Sequence, residues 1–133
     1  MSAKINFINH ACIQLSNGET KVLFDPWFQG KVFNQSWCLL KTMRATEFDF
    51  SGVTHICVSH EHPDHLNFDT LRELLSVCNT VPTLIFPYRN NHFVRTALAK
   101  TGLKVQFALR DGSPIELGNN IEVAYFGETE GQD

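Results

Sequence analysis

A six-residue segment that follows an apolar run constrains the fold of this chain more than any other feature of its sequence. Residues 60–65 are His-Glu-His-Pro-Asp-His, and the β-branched run from Val53 to Ser59 leads directly into them. Such a run predicts a buried strand, so the segment lies where a strand passes into the turn before a helix. Four potential ligands in six residues indicate a metal site, because borderline divalent metals take imidazole and carboxylate ligands.

The spacing within residues 60–65 divides the four candidate ligands into two pairs. His60 and His62 are two positions apart in extended backbone, so their side chains face the same way. Asp64 and His65 stand at the entrance of the following helix and can reach a second metal nearby. The alternative is a polar surface turn in which histidines happen to cluster, but surface turns favour glycine, asparagine and serine. We therefore prefer the metal interpretation.

Helix and strand signals around this segment predict one layered α/β unit. Two helices are predicted, over about residues 67–79 with Asn67 or Asp69 as cap, and over about 90–102 with Asn90 or Asn91 as cap. Apolar or alternating runs predict further strands at residues 4–8, 12–15, 21–24, 83–86, 105–109, 115–117 and 121–126. Strands at both ends with helices between them predict a mixed sheet covered by helices.

Composition restricts the organisation and the partners of the chain. Its 133 residues with 43% hydrophobic content can bury the core of a single domain, residues 1–133. The net charge of -3 gives no electrostatic reason to bind nucleic acid or anionic membranes, so a small-molecule substrate is expected. Four cysteines without a C-x-x-C pair, and no apolar leader, predict reduced thiols in a cytoplasmic protein. No apolar run approaches the roughly 20 residues that cross a bilayer.

On residues 60–65 the chain resembles the metallo-β-lactamase fold superfamily, whose members carry H-x-H-x-D-H after an apolar strand. The resemblance implies that His60 and His62 bind one metal, and that Asp64 and His65 bind a second. It also implies that the chain forms part of a four-layer αββα sandwich, with helices on one face of a mixed sheet. The implied cofactor is a divalent metal, zinc first with manganese or iron as alternatives, at up to two ions per complete site.

A second stretch extends the resemblance. Phe24-Asp25-Pro26-Trp27, followed by Gly30, Phe33 and residues 36–40, is similar to the metallo-β-lactamase-like region of the CMP-N-acetylneuraminate hydroxylase family. The similarity to ascorbate-6-phosphate lactonase relatives is more distant. The resemblance implies that Asp25 orients the metal ligands, although an aspartate that forms a turn before proline is an equally good interpretation.

Other residues could border the site. Asn9-His10-Ala11 resembles the family's short turn that contains a histidine, and we expect His10 to line the site rather than to bind metal. His55 is expected to be a core or edge histidine, because it has no second ligand nearby in sequence. Four aromatic residues in the loop before the cluster could form the wall of a substrate pocket, although they are first expected to pack the loop itself. They are Trp27, Phe28, Phe33 and Trp37.

The chain departs from the superfamily in its second half. Members complete the two-metal site with later histidines and a bridging carboxylate, whereas this sequence has no histidine after His92, which lies in the second predicted helix. We therefore expect an incomplete domain that needs a partner chain, a dimer or a missing carboxy-terminal half. Glu128, Glu130 and Asp133 are candidate substitutes for the late ligands.

Three functions remain open from the sequence. The first is a metal-dependent hydrolase of a small-molecule ester, lactone or phosphoester, in which a metal-activated water attacks and Asp64 serves as the catalytic residue that orients it. The alternative enzyme is an iron-dependent oxygenase or redox enzyme of the same fold, since histidine and carboxylate also suit iron. The third is a non-catalytic binding module that lacks the full metal site.

Overall fold

A six-stranded mixed sheet forms the frame of the molecule, as a computed structural model of residues 2–127 shows. The strands are β1 (Lys4–Asn9), β2 (Cys12–Asn17), β3 (Thr20–Phe24), β4 (Lys31–Val32), β5 (Trp37–Cys38), β6 (His55–Cys57), β7 (Thr83–Pro87), β8 (Lys104–Ala108), β9 (Ile115–Gly118) and β10 (Ile121–Val123), and the helices are α1 (Phe68–Val77) and α2 (His92–Ala99). The sheet has the order β1-β2-β3-β6-β7-β8. The prediction of a mixed sheet is therefore confirmed.

The direction of the strands follows from the length of their connections. Strands β1, β2 and β3 pair antiparallel, and Gly18, with a φ of 58°, turns the chain between β2 and β3. Strands β3, β6, β7 and β8 pair parallel, because the connections between them are long enough to cross over, two of them through α1 and α2. The carboxyl ends of these four strands therefore meet at one edge of the sheet.

Apolar side chains cover both faces of the sheet. On one face the larger core joins strand residues such as Phe86 to Leu74 of α1 and Leu98 of α2, and Phe28 stacks on Phe50 with ring centroids 5.1 Å apart. On the other face the β9–β10 hairpin packs over a smaller cluster of strand residues. Within the described residues both helices thus lie on one face, as the sequence predicts, and neither of them is long and apolar enough to cross a membrane.

Helix α1 is tied to the histidine segment at its first turn. The side chain of Asn67 accepts a hydrogen bond from the Thr70 amide at 3.0 Å and donates one to the Pro63 carbonyl at 3.1 Å. The Thr70 hydroxyl in turn accepts from the Phe28 amide at 3.1 Å. Asn67 is therefore the cap of α1, and its contact with Pro63 holds the helix against residues 60–65.

Several elements differ in length from the sequence predictions. Strand β6 ends at Cys57 rather than near Ser59, because the Ser59 amide donates to the Asp25 carboxylate instead of continuing the ladder. The loop after β3 contains a small hairpin, β4–β5, which its irregular aromatic spacing does not reveal. Strand β10 ends at Val123, three residues before the predicted end. The candidate ligands Glu128, Glu130 and Asp133 lie outside the described residues.

Candidate metal centre

The parallel pairing of β3 with β6 brings the two sequence motifs together. Phe24 is the register partner of Cys57, and the Asp25 amide donates to the Cys57 carbonyl at 3.0 Å. Asp25 therefore lies beside the first residues after β6. Its φ of 44° is in the left-handed region, which aspartate tolerates better than most residues and which turns its carboxylate towards the histidine segment.

Asp25 accepts three hydrogen bonds from Ser59 and His65. Its Oδ1 accepts from the Ser59 amide at 2.7 Å, and its Oδ2 accepts from the Ser59 hydroxyl at 2.7 Å and lies 2.9 Å from Nδ1 of His65. The carboxylate is buried although Ser59 is exposed, so burial of Asp25 limits competition from water at these contacts. The expectation that Asp25 orients metal ligands agrees with this geometry, although the Asp-Pro turn is present as well.

The turn between β1 and β2 carries His10 to the cluster. Its φ of 43° and a register shift just before it mark this turn as irregular. The Nε2 atom of His10 lies 2.9 Å from Oδ2 of Asp64, and its ring stands on edge against Trp27 at a centroid distance of 5.2 Å. His10 therefore does more than line the site, because it contacts the carboxylate of a candidate ligand directly.

The three histidines of the segment converge on one another. Nε2 of His60 lies 3.1 Å from Nδ1 of His62, and the ring centroids of His60 and His65 are 4.2 Å apart. Nε2 of His65 lies 3.3 Å from Oδ2 of Asp64. One possible ligand atom from each of His10, Asp64 and His65 lies within 4.8 Å of the other two. Imidazole and carboxylate atoms this close can share a metal ion.

The electrostatic environment favours the protonation states that bind metal. Burial lowers the pKa of His60, and the neighbouring His65 and His62 lower it further, so the neutral imidazole is favoured. Burial pushes the pKa of Asp64 upward, but the hydrogen bond with His10 and the charge of His65 outweigh it, and the pKa is lowered. Neutral imidazoles and an ionised carboxylate are the forms that donate lone pairs to a metal.

Oδ1 of Asp64 is in a position suited to bind a metal ion. Asp64 is only 4% exposed, and among the described residues no donor reaches its Oδ1. An unpaired carboxylate oxygen in a buried position is costly, so it requires a ligand that supplies positive charge. A divalent cation between Asp64 and the surrounding imidazoles meets that requirement. The residues present therefore fit the metal that the sequence predicts.

The remaining histidines lie elsewhere. Nδ1 of His55 contacts the Thr54 hydroxyl at 2.8 Å, as expected for a histidine at the edge of the core. His92 begins α2, where its Nε2 lies 3.4 Å from the Thr96 hydroxyl. Within residues 2–127 the structure therefore joins four of the six histidines of the chain into one cluster.

Ser59 and the ion pair of Glu61 are two features of the site that the sequence does not predict. Ser59 links Asp25 to the cluster, and its only signal is its place as the last residue of the apolar run. Glu61, the non-ligand residue between His60 and His62, forms an ion pair with Arg89 at 3.1 Å. That pair connects the segment to the loop after β7, and no sequence spacing could reveal it.

A cavity of about 660 Å³ opens beside His10. It is lined by Phe7, Ile8, Asn9, His10, Trp27, Ser36, Trp37, Cys38, Leu39, Leu40 and Lys41. Trp37 is exposed and lines this cavity, whereas Trp27 borders it but is fully buried, as Phe28 is. Phe33 packs between Trp37 and His62, with ring centroids at 5.1 and 5.9 Å.

The fold and the histidine segment together define the class of this protein. The chain belongs to the family described as the beta-lactamase superfamily domain, which matches residues 4–128. It shares its fold with CmlA, a diiron beta-hydroxylase from Streptomyces venezuelae, with a TM-score of 0.65 at 18% identity over 87% of this chain and 22% of that one. The predicted fold class is confirmed.

Among proteins of known activity, the chain is similar to cytidine monophosphate-N-acetylneuraminic acid hydroxylases. It is 33% identical to that of Asterias rubens over 127 residues, which cover 94% of this chain and 17% of the relative. It is 33% identical to that of Danio rerio over 82 residues, which cover 61% of this chain and 14% of the relative. The resemblance noted at residues 24–40 is therefore confirmed, and the chain spans about a sixth of the length of these relatives.

Proposed function

We propose that this chain is the metal-binding part of an iron-dependent hydroxylase that acts on a small molecule. The observation that carries the proposal is the buried Asp64 carboxylate, whose Oδ1 has no donor among the described residues while imidazoles surround it. The names of the relatives favour hydroxylation over the hydrolysis expected first from the sequence. The oxygenase alternative is therefore the better supported one.

The choice of iron rests on the ligand set and on a protein of the same fold. Imidazole and carboxylate suit iron as well as zinc. CmlA, which shares the fold, is described as a diiron enzyme. Iron held here would supply the redox chemistry that activates dioxygen, which amino-acid side chains lack.

The protein's own residues would hold and orient the metal. His60 and His62 are proposed as ligands of one ion, and Asp64 and His65 as ligands of a second. His10 contacts Oδ2 of Asp64, so the other carboxylate oxygen, Oδ1, is left to bind the metal. Any remaining ligands would come from a carboxy-terminal half, a partner chain or a second copy. With four free cysteines, the protein is proposed to work in the cytoplasm.

The cavity beside His10 is the proposed substrate site. It adjoins the cluster through His10 and offers the exposed Trp37 for apolar or stacking contacts, with Lys41 in its lining for an anionic group. The relatives are named for a nucleotide-linked sialic acid, which contains a ring system and anionic groups. A CMP-linked sialic acid is accordingly the first substrate to test.

Metal content and oxygen consumption test the proposal. Hydroxylation places one oxygen atom of dioxygen in a C–H bond and reduces the other to water, so it consumes two electrons and two protons. We expect the purified full chain to retain iron, and to consume oxygen in the presence of ascorbate as electron donor and CMP-linked sialic acid. Retention of zinc with hydrolysis of an ester or lactone would instead support the hydrolase. Absence of any metal in freshly purified protein would leave only a binding module.

Ligand variants and a matched control complete the test. His62→Ala and Asp64→Asn are expected to remove metal binding while the circular dichroism spectrum stays unchanged. His92→Ala removes a histidine of α2 that is remote in sequence from the segment, and it should keep full metal content. Full metal content in either ligand variant would show that the ligand assignment is wrong.

A further inference from the structure

A short chain of hydrogen bonds connects two of the proposed metal ligands to the same carboxylate. The Ser59 hydroxyl donates to Oδ2 of Asp25 at 2.7 Å, and its oxygen also lies 2.8 Å from Nδ1 of His60. On the other side, Nδ1 of His65 lies 2.9 Å from the same Oδ2 atom. His60 thus reaches Asp25 through Ser59, while His65 reaches it directly.

The donors and acceptors in this series of hydrogen bonds fix where the protons lie. A carboxylate only accepts, so the single proton of the Ser59 hydroxyl is committed to Asp25. Towards His60 the Ser59 oxygen can then only accept, and Nδ1 of His60 must carry a proton. The same reasoning places a proton on Nδ1 of His65. When each ring is neutral, its lone pair is then on Nε2, the atom available to a metal.

We propose that Ser59 is a positioning residue through which Asp25 sets the tautomers of both His60 and His65. The contact between Nε2 of His60 and Nδ1 of His62, at 3.1 Å, is consistent with this arrangement, because it needs an unprotonated Nε2 on His60 when His62 donates. Orientation of ligating histidines through their second nitrogen is a general requirement of metal sites. Ser59 is exposed, so its side chain is not needed to fill the core.

The inference rests on the metal assignment of the proposed function but not on the reaction. Its first test needs neither metal nor substrate. Nitrogen-15 NMR of the imidazole rings in the metal-free full chain, at about pH 8 where histidine is neutral, reports which nitrogen carries the proton. Wild-type protein should show Nδ1-protonated rings for His60 and His65.

Three variants test whether Asp25 acts on the His60 tautomer through Ser59 or whether the substitutions disturb the whole site. Ser59→Ala should give His60 a mixture of tautomers and leave His65 unchanged, because His65 contacts Asp25 directly. Asp25→Asn should disturb both rings, and Ser59→Thr should restore the wild-type state of His60. An unchanged His60 tautomer in Ser59→Ala would overturn the inference, and so would equal disturbance of both rings by that variant.

Metal affinity provides a second readout. With cobalt(II) as the probe, Ser59→Ala should bind about tenfold more weakly than wild type, a typical effect of removing a partner of a ligating histidine. Ser59→Thr should recover most of that loss. Ser76→Ala is the matched control, since the Ser76 hydroxyl donates to the Glu73 carbonyl within α1. Unchanged cobalt affinity in Ser59→Ala would contradict the proposed role, whereas failure of the hydroxylase assay would leave the NMR and cobalt results unaffected.

Discussion

The cysteine thiols differ widely in burial. Burial raises the pKa of Cys57 to about 12, although the hydrogen bond with Tyr125 acts in the opposite direction. Cys38 is exposed and lines the cavity. Because the reagent reaches Cys38, whereas the Cys57 thiol is buried and resists forming the reactive thiolate, iodoacetamide at about pH 8 should modify Cys38 first and leave Cys57 intact. Mass spectrometry of digested protein checks this order, and equal modification of the two residues would contradict it.

His55, which lies outside the cluster, should make stability depend on pH. Burial lowers the pKa of His55 below 6.5, while the unfolded chain keeps the ordinary value of about 6.5. The unfolded state therefore binds more protons below about pH 6.5, and the free energy of unfolding should fall as the pH drops from about 7 to about 5. Urea unfolding of metal-free protein measures this slope.

A neutral replacement identifies the part of the slope that belongs to His55. His55→Gln cannot take up a proton, so its stability should decline less steeply over the same pH range. A remaining slope is expected, because the pKa of His60 is also lowered by burial. Identical slopes in wild type and His55→Gln would show that the burial of His55 has no effect on its pKa.

Residue types alone indicate the metal site, but they do not show which other residues contact the candidate ligands. The sequence predicts the ligands from six consecutive positions, because their chemistry is local. It does not decide whether Asp25 orients the metal ligands or only forms a turn before proline, and it predicts that His10 only lines the site. The contact between His10 and Asp64 joins residues 54 positions apart, and no local pattern carries that information.

At the level of elements, the two helix caps offer a matched comparison. Asn67 caps α1 and also donates to the Pro63 carbonyl, whereas Asn91 caps α2 through the Phe93 and Val94 amides. Substitution of either asparagine by alanine should cost about 1 kcal/mol of stability. Of the two variants, Asn67→Ala should also weaken metal binding, because Asn67 contacts the histidine segment through the Pro63 carbonyl. Chemical unfolding and a cobalt titration measure the two effects, and equal cobalt affinities would contradict the second.

The helices are easier to predict than the strands, for a physical reason. A helix is closed by hydrogen bonds within itself, so its caps and apolar spacing are visible in the sequence. A strand ends where its partners end. Strand β6 stops at Cys57 because Asp25, from the end of β3, takes the amide of Ser59.

At the level of the whole molecule, metal binding should stabilise the fold. A ligand that binds only the folded state contributes about 2.7 kcal/mol when present at about 100 times its dissociation constant. For a chain of 133 residues this corresponds to a rise in Tm of about 10 °C. Differential scanning calorimetry with added iron(II) under nitrogen tests this, with chelator to reverse it. Asp64→Asn should show no rise, and a rise equal to that of wild type would contradict its role as a ligand.

The sequence by itself determined the candidate ligands and the alternation of strands and helices, and it narrowed each helix cap to two residues, since each of these depends on neighbouring residues. Only the tertiary structure decided which residues surround the ligands. Parallel pairing of β3 with β6 brings Asp25 to Ser59, 34 positions away, and the turn after β1 brings His10 to Asp64. Those contacts depend on strand order and register, which residue spacing does not encode, and they leave Oδ1 of Asp64 available for a metal.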